Sequence, residues 1–374
     1  MNPQQSKPNP AQNTRIDSLD VMRGFSMFWL IGGAALIKEI AVHNPSAIGM
    51  AVQMRHAGWQ GLRFYDLIFP LFIFTSGATI PFSIARLKEK KIPNFQIVGI
   101  ALKRTIILMI IGVIYNEWHG HQFLNPRLCS VLGQIGASYF ICTCIYIANR
   151  RSKGLLASIG AIWLLIATLQ LLPAKASLDK NINPSNNINS WIDSTFVPGR
   201  LLNKSFDPEG PLNWISASSV CLLGAWTSSQ LAAQNRKRKG LKSSALKATT
   251  LGITLIASSL LVDNIYPIVK NIWTVPFAAL TGGISILFYL LIYYITDVKD
   301  FKKPFFMFKV IGANSLVAYI SLRFFDYEQF TNDLGTQLSK FFAIDNAIPG
   351  ILITMIATLS LLYWLYRSKF FVKI

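Results

Sequence analysis

His56 and Asp66 stand ten residues apart in the run His56-Ala57-Gly58-Trp59-Gln60-Gly61-Leu62-Arg63-Phe64-Tyr65-Asp66, directly before an apolar stretch that opens Leu67-Ile68-Phe69-Pro70. An imidazole is the usual side chain for moving a proton near neutral pH, and a carboxylate beside it decides which ring nitrogen carries the hydrogen. At the mouth of a lipid-crossing helix this pair points to a base and its orienting partner in a membrane-embedded enzyme. The competing reading is an interfacial histidine that only hydrogen-bonds a loop.

Three more polar clusters are expected at the same membrane surface, where together they line one pocket. They are Glu117-Trp118-His119-Gly120-His121 with Asn125-Pro126-Arg127, then Phe206-Asp207-Pro208-Glu209-Gly210-Pro211, then Pro267-Ile268-Val269-Lys270-Asn271-Ile272-Trp273-Thr274. Asp207 and Glu209 precede a helix start, so they either cap it or hold an amine-bearing or sugar acceptor. Lys270 and Asn271 beside Trp273 read either as interfacial anchors or as pocket residues. His119 and His121 read as ordinary interfacial residues. At the opposite ends of the helices, Asp20 and Arg23 lie three apart and share a helix face. Either they form a structural ion pair, or Arg23 joins Lys103 and Arg104 in an anion site for phosphates, a role with which snorkelling competes. Cys129, Cys142, Cys144 and Cys221 all fall within expected spans and read as buried thiols; no Cys/His spacing matches a ligand set, so no metal is expected.

The elements that position these residues are apolar helices. The 374 residues are 52% hydrophobic and 14% charged, against about 25% charged in soluble domains. Stretches of membrane-spanning length recur about ten times: Leu19–Val42, Phe64–Leu87, Ile97–Asn116, Leu128–Ala148, Gly154–Pro173, Asn213–Gln234, Ser243–Val262, Thr274–Thr296, Pro304–Phe324 and Ala347–Tyr366. An all-α polytopic membrane protein follows. The net charge of +19 is a matter of topology and does not indicate a nucleic-acid partner. With a cytoplasmic amino terminus, more than two-thirds of the 36 basic residues fall inside, with only Asp17, Asp20, Glu89, Asp297 and Asp300 of the 17 acids. That positive-inside pattern puts both termini in the cytoplasm. Residues 1–14 read as a disordered tail, and the first span as retained rather than cleaved. The polar segment 174–212 is expected to be an outer-face substrate loop, and a short interfacial helix is expected within 325–346.

The ordered set Ser18-Leu19-Asp20 with Arg23-Gly24, His56 with Trp59 and Gly61, Asp66-Leu67-Ile68-Phe69-Pro70 with Gly77, Arg127 with Val131-Leu132, Asp207-Pro208-Glu209-Gly210, Lys270-Asn271 with Trp273-Thr274, and Gly312 with Asn314 resembles the heparan-alpha-glucosaminide N-acetyltransferase family and its bacterial relatives. The resemblance implies that residues 15–374 form one transmembrane acyltransferase domain in a membrane, expected to be the bacterial cytoplasmic one. It implies acetyl-CoA as co-substrate from the cytoplasm and a glycan amine on the outer face as acceptor, with membrane lipids as surroundings and homo-oligomerisation left open. His56 takes the place of the family's essential histidine, as base or acetyl carrier, with Asp66 orienting it. Acceptor contacts are expected at Trp59, Arg127, Asp207, Glu209, Lys270, Asn271 and Trp273, and donor contacts at Asp20, Arg23, Lys103, Arg104 and Asn314. This chain departs from the family pattern at Gly133-Gln134, where the family has Gln-Arg, and at Ile31-Gly32-Gly33, near which some members carry an asparagine. The competing classes are a transporter or flippase and an O-acyltransferase of surface glycan.

Overall fold

Inside a bilayer a chain can satisfy its backbone only as a helix or a closed barrel. The described residues take the first route and form no strand, although Arg127 and Gly199 pair as an isolated antiparallel bridge. The computed structural model describes residues 16–118, 124–171, 182–184, 187–235, 241–324, 333 and 347–372. The tail at 1–14, His119, His121, the loop residues 174–181 and 185–186, and nearly all of the segment 325–346 lie outside the described residues.

In chain order the main helices are α1 Asp17–His43, α2 Phe64–Glu89, α3 Asn94–Glu117, α4 Val131–Ala148, α5 Ser152–Leu171, α6 Ile188–Phe196, α7 Pro211–Asn235, α8 Leu241–Val262, α9 Val275–Val298, α10 Lys303–Ala313, α11 Ser315–Arg323 and α12 Ile348–Arg367. Eight of them are long and apolar enough to cross a membrane, and α10 with α11 adds a ninth if that bent pair counts as one span. The protein is an all-α polytopic membrane protein, as its sequence predicts. The expected span Asn213–Gln234 is a helix too, α7, but a less apolar one. It is enclosed by α2, α4, α5, α8 and α9, so it needs no lipid-facing surface. Ser216, Ser218, Ser219, Thr227 and Ser228 are fully buried along it, and most of their hydroxyls bond a carbonyl three or four residues back.

Close backbone approach holds the bundle together. A Cβ on Gly77 would lie 1.8 Å from Cys221 O, and one on Gly224 would lie 2.1 Å from Phe74 O, so α2 and α7 meet through facing small residues. The same device joins α1 to α10, through Gly24 against Phe308 O and Gly312 against Asp20 O. Within α1 the helix loosens to π-type turns over Trp29–Gly33, where Gly32 adopts φ 143° against Met355. The departure Ile31-Gly32-Gly33 is therefore the place where the first span breaks.

The ninth expected span, Pro304–Phe324, is bent by 62° at Asn314. Asn314 donates from Nδ2 to Phe370 O at 3.0 Å and accepts from Val372 N at 3.2 Å, so its amide ties the bend to the carboxy-terminal segment.

Candidate active site

The helix ends form two groups. One gathers Asp17, bonded to Lys309 at 2.6 Å and Lys302 at 3.2 Å, and Asp297, which accepts from Ser18 N at 3.0 Å. The other gathers the loops that carry His56, Arg127, Glu209 and Lys270. At that end Gly61 N donates to Ile268 O at 2.8 Å and Trp59 Nε1 donates to Ile182 O at 2.7 Å.

Asp66 sits in the tight turn Phe64–Leu67 that starts α2, where its carboxylate serves unpaired backbone donors. Oδ2 accepts from Ala57 N at 3.0 Å and Arg63 N at 3.1 Å. That leaves Oδ1, which His56 Nδ1 meets at 2.7 Å and Lys270 Nζ at 2.9 Å. Lys270 Nζ also lies 2.8 Å from His56 Nδ1, so the three polar atoms form a near-equilateral triangle. Asp66 is fully buried and the His56 side chain is 56% exposed, so the partnered ring edge faces inward and Nε2 is left for chemistry. Arg63 Nη1 donates to His56 O at 2.9 Å, and the Tyr65 ring lies 4.9 Å from the imidazole. The predicted pair is thus in hydrogen-bond contact, with Lys270 completing it.

Lys270 is presented by a loop that closes on itself. Thr274 Oγ1 donates to Pro267 O at 2.9 Å and accepts from Val269 N at 3.0 Å, and Thr274 N donates to Val269 O at 3.2 Å. Behind the loop runs a buried polar chain. Tyr266 OH donates to Gln170 Oε1, and Gln170 Nε2 donates to Asn189 Oδ1 at 3.0 Å and Ile272 O at 2.7 Å. Asn189 Nδ2 then donates to Asn213 Oδ1 at 2.8 Å, and Asn213 Nδ2 to Asn271 O at 3.0 Å. Gln134, one of the two departures, is buried beside this chain and donates to Asn213 O at 3.4 Å. Burial lowers the Lys270 ammonium below the ordinary lysine range, while the charges of Asp66 and Glu209 pull it back up.

Arg127 forms a second charged centre. Its Nε and Nη2 grip Asp207 in a fork at 2.7 Å each, and Nη2 also reaches Glu209. Asp207 accepts in addition from Leu202 N at 3.1 Å and Glu209 N at 3.0 Å, so it shapes the turn before α7 and pairs with Arg127 at once. One guanidinium cannot neutralise two carboxylates equally. Burial alone would raise Asp207, but the Arg127 fork outweighs it and holds the group below the usual carboxylate range. Glu209, buried beside the like charge of Asp207, is pushed up to about 7. Two residues that the sequence left without a role support the group. Glu117 accepts from Arg127 N at 2.9 Å and from Arg200 Nη2 at 2.9 and 3.1 Å. Asp193 accepts from Asp207 N at 2.9 Å.

Residues adjoining these centres in sequence line a cavity of about 330 Å³: Trp59, Pro184, Asn203, Ser205, Phe206 and Asn271. Trp59 meets Phe206 edge to face at 5.7 Å. Trp59 and Asn271 therefore line one pocket; Asn203, Ser205 and Phe206 gave no signal beyond their place in a polar loop. Trp273 does not share it. With φ 44° it turns inward, 1% exposed, packing on Phe69 and Phe277. It anchors the Lys270 loop.

The expected donor residues separate. Asp20 is buried where α1 meets α10, and Arg23 Nη2 reaches Thr75 O at 3.5 Å. Lys103 is exposed on α3, the position of a snorkelling lysine. Arg104 packs over the Tyr139 ring at 4.4 Å, and Asn314 spends its amide on the chain end. Lys103 and Arg104, neighbours on one helix, thus face different directions. Among the described residues no group of three His, Cys, Asp or Glu side chains is placed to hold a metal ion.

No family model matches the chain. Heparan-alpha-glucosaminide N-acetyltransferase of Homo sapiens aligns at 25% identity over 427 residues, covering 96% of this chain and 60% of that protein. Its Mus musculus counterpart aligns at 24% identity over 406 residues, covering 91% and 59%. The chain thus spans about 60% of the length of the curated relatives it matches. With similarity that runs along nearly the whole chain, the protein is a relative of the heparan-alpha-glucosaminide N-acetyltransferases.

Proposed function

We propose that the protein is a transmembrane acetyltransferase that takes the acetyl group of acetyl-CoA at the Asp17 end of the bundle and delivers it to the amine of an amino sugar at the His56 end. The observation that carries this reading is the exposed imidazole whose Nδ1 is held by buried Asp66, at the same end as the Trp59–Asn271 cavity. In the transfer the acceptor nitrogen bonds to the thioester carbon, the carbon–sulfur bond breaks, and CoA leaves as thiolate. His56 Nε2 takes the proton that the amine sheds and returns it to the sulfur. Covalent transfer through an N-acetylimidazole uses the same atom. Trp59 and Phe206 offer apolar surface to a sugar ring, and Asn203, Ser205 and Asn271 offer hydrogen bonds to its hydroxyls. Glu209, with Arg127, supplies a carboxylate for the acceptor's ammonium.

At the donor end Arg23 is the cation that fits a phosphate or an amide carbonyl of the pantetheine arm. The Ser76 hydroxyl, buried on α2 with no hydrogen-bond partner among the described residues, fits the same polar arm. The charge distribution favours the Asp17 end in the cytoplasm, and hence an inner bacterial membrane with both termini inside. The test pairs binding with chemistry in purified full-length protein. CoA at millimolar concentration should raise the thermal midpoint, because a ligand of the folded state stabilises it by mass action. His56→Ala should keep that rise yet lose about a hundredfold to ten-thousandfold in acetyl transfer to a glucosamine acceptor. No stabilisation by CoA, or an equal effect from any polyanion, would favour a transporter; near-normal turnover by His56→Ala would remove the histidine from the mechanism.

A further inference from the structure

His56 Nδ1 and Lys270 Nζ both meet Asp66 Oδ1, and the two nitrogens also lie 2.8 Å from each other. A protonated ring carries a hydrogen on Nδ1, and an ammonium offers only donors. With Lys270 Nζ 2.8 Å from Nδ1, an imidazolium would place a second positive charge directly beside the ammonium. Asp66 alone would favour the charged ring; Lys270, 2.9 Å from the same oxygen, offsets that carboxylate. We propose that Lys270 is a positioning residue that keeps the His56 ring neutral, with its Nδ1 hydrogen on Asp66 and Nε2 open as base or nucleophile. The inference rests on the acetyltransferase reading for what Nε2 does, but not for the protonation of the ring.

The other groups around the site leave this assignment intact. Arg63 reaches His56 through the backbone carbonyl and not the ring. Tyr65 lies beside the ring, with Lys38 Nζ 6.0 Å from the centre of the tyrosine. Burial lowers the Lys270 ammonium, and the Asp66 and Glu209 charges oppose that lowering; Glu209 is itself engaged by Arg127. Arg55, next to His56, lies exposed. Lys270 itself is only 21% exposed, so water screens its charge poorly. The 204 residues between Lys270 and Asp66 also explain why no local motif reveals the contact.

The test reads the ring without requiring turnover. Diethyl pyrocarbonate acylates neutral imidazole, and mass spectrometry of the His56 peptide gives its rate at each pH in detergent-purified full-length protein. Lys270→Met and Lys270→Gln should each move the midpoint of that reactivity up by about one pH unit or more, the size expected for loss of an adjacent like charge. Lys270→Arg should stay near the wild type. Asp66→Asn should move the midpoint down. Opposite shifts from the two sides of one contact cannot come from unfolding, which would bring every variant to the same value. In the transfer assay the acid limb of the kcat/KM profile should move with the reactivity midpoint. If Lys270→Met and Lys270→Gln leave the midpoint unchanged, or shift it in the direction of Asp66→Asn, the proposal is wrong. If the midpoints shift as stated while the wild type transfers no acetyl group, Lys270 keeps this role and the acetyltransferase reading falls.

Discussion

Asp193 shows how a single buried carboxylate near the site couples to pH. Its Oδ2 accepts the Asp207 amide hydrogen, its Oδ1 is buried without a partner among the described residues, and the residue is 1% exposed. Burial, with the Asp207 charge adding to it and the amide hydrogen bond opposing it, pushes this carboxyl up to about 6. The folded value lies above that of an unfolded aspartate, near 3.9. The folded state therefore binds more protons between those values, and the group's contribution to stability is complete below about 4 and lost as pH rises through about 6. Asp193→Asn, neutral at every pH, should match the wild type in thermal midpoint at pH 4 and exceed it at pH 8. An Asn variant whose difference from the wild type is the same at both pH values would show that Asp193 is not held protonated.

At the scale of elements, the close contacts between helices set the positions that the loops inherit. Gly24 lets α1 pack so tightly on α10 that a Cβ there would lie 1.7 Å from Phe308 O, a backbone atom that cannot rotate away. Gly24→Ala should therefore cost about 1–3 kcal/mol by forcing the two helices apart, read as a lower unfolding midpoint in detergent. Gly49→Ala, on the same side of the sequence but with open space around it, should cost much less and serves as the control. Equal midpoints for the two variants would mean that the α1–α10 contact is looser than drawn. Trp273 and Asn314 belong to this scale as well. Their motif positions suggested ligand contacts, yet each supports an element, Trp273 by burying its ring beneath the Lys270 loop and Asn314 by fastening the α10–α11 bend to the chain end.

For the whole molecule, the charge asymmetry predicts which face meets the cytoplasm. A cysteine at exposed Asn203 should react with a membrane-impermeant thiol reagent in intact cells, while one at exposed Lys242 should react only after lysis. Cys129, Cys142 and Cys221 are buried, which keeps the native background low. Reversed labelling would turn the bundle over and place His56 on the cytoplasmic side, where transfer across the membrane makes no sense.

Composition and apolar patterning are enough to assign the class of the molecule and its local chemistry. Apolar runs report the surface that faces lipid, so nearly every span was legible, and α7 was found by length although its buried serines make it the least apolar. His56 and Asp66 were legible as a pair because a ten-residue loop between a helix end and a helix start brings few alternatives into reach. Packing between distant segments is what brings Lys270 to that pair and joins Arg127 to Asp207 across 80 residues. The physical reason is that periodicity encodes which face of a helix is apolar, whereas the partner of a charged side chain depends on which helices pack side by side and at what rotation.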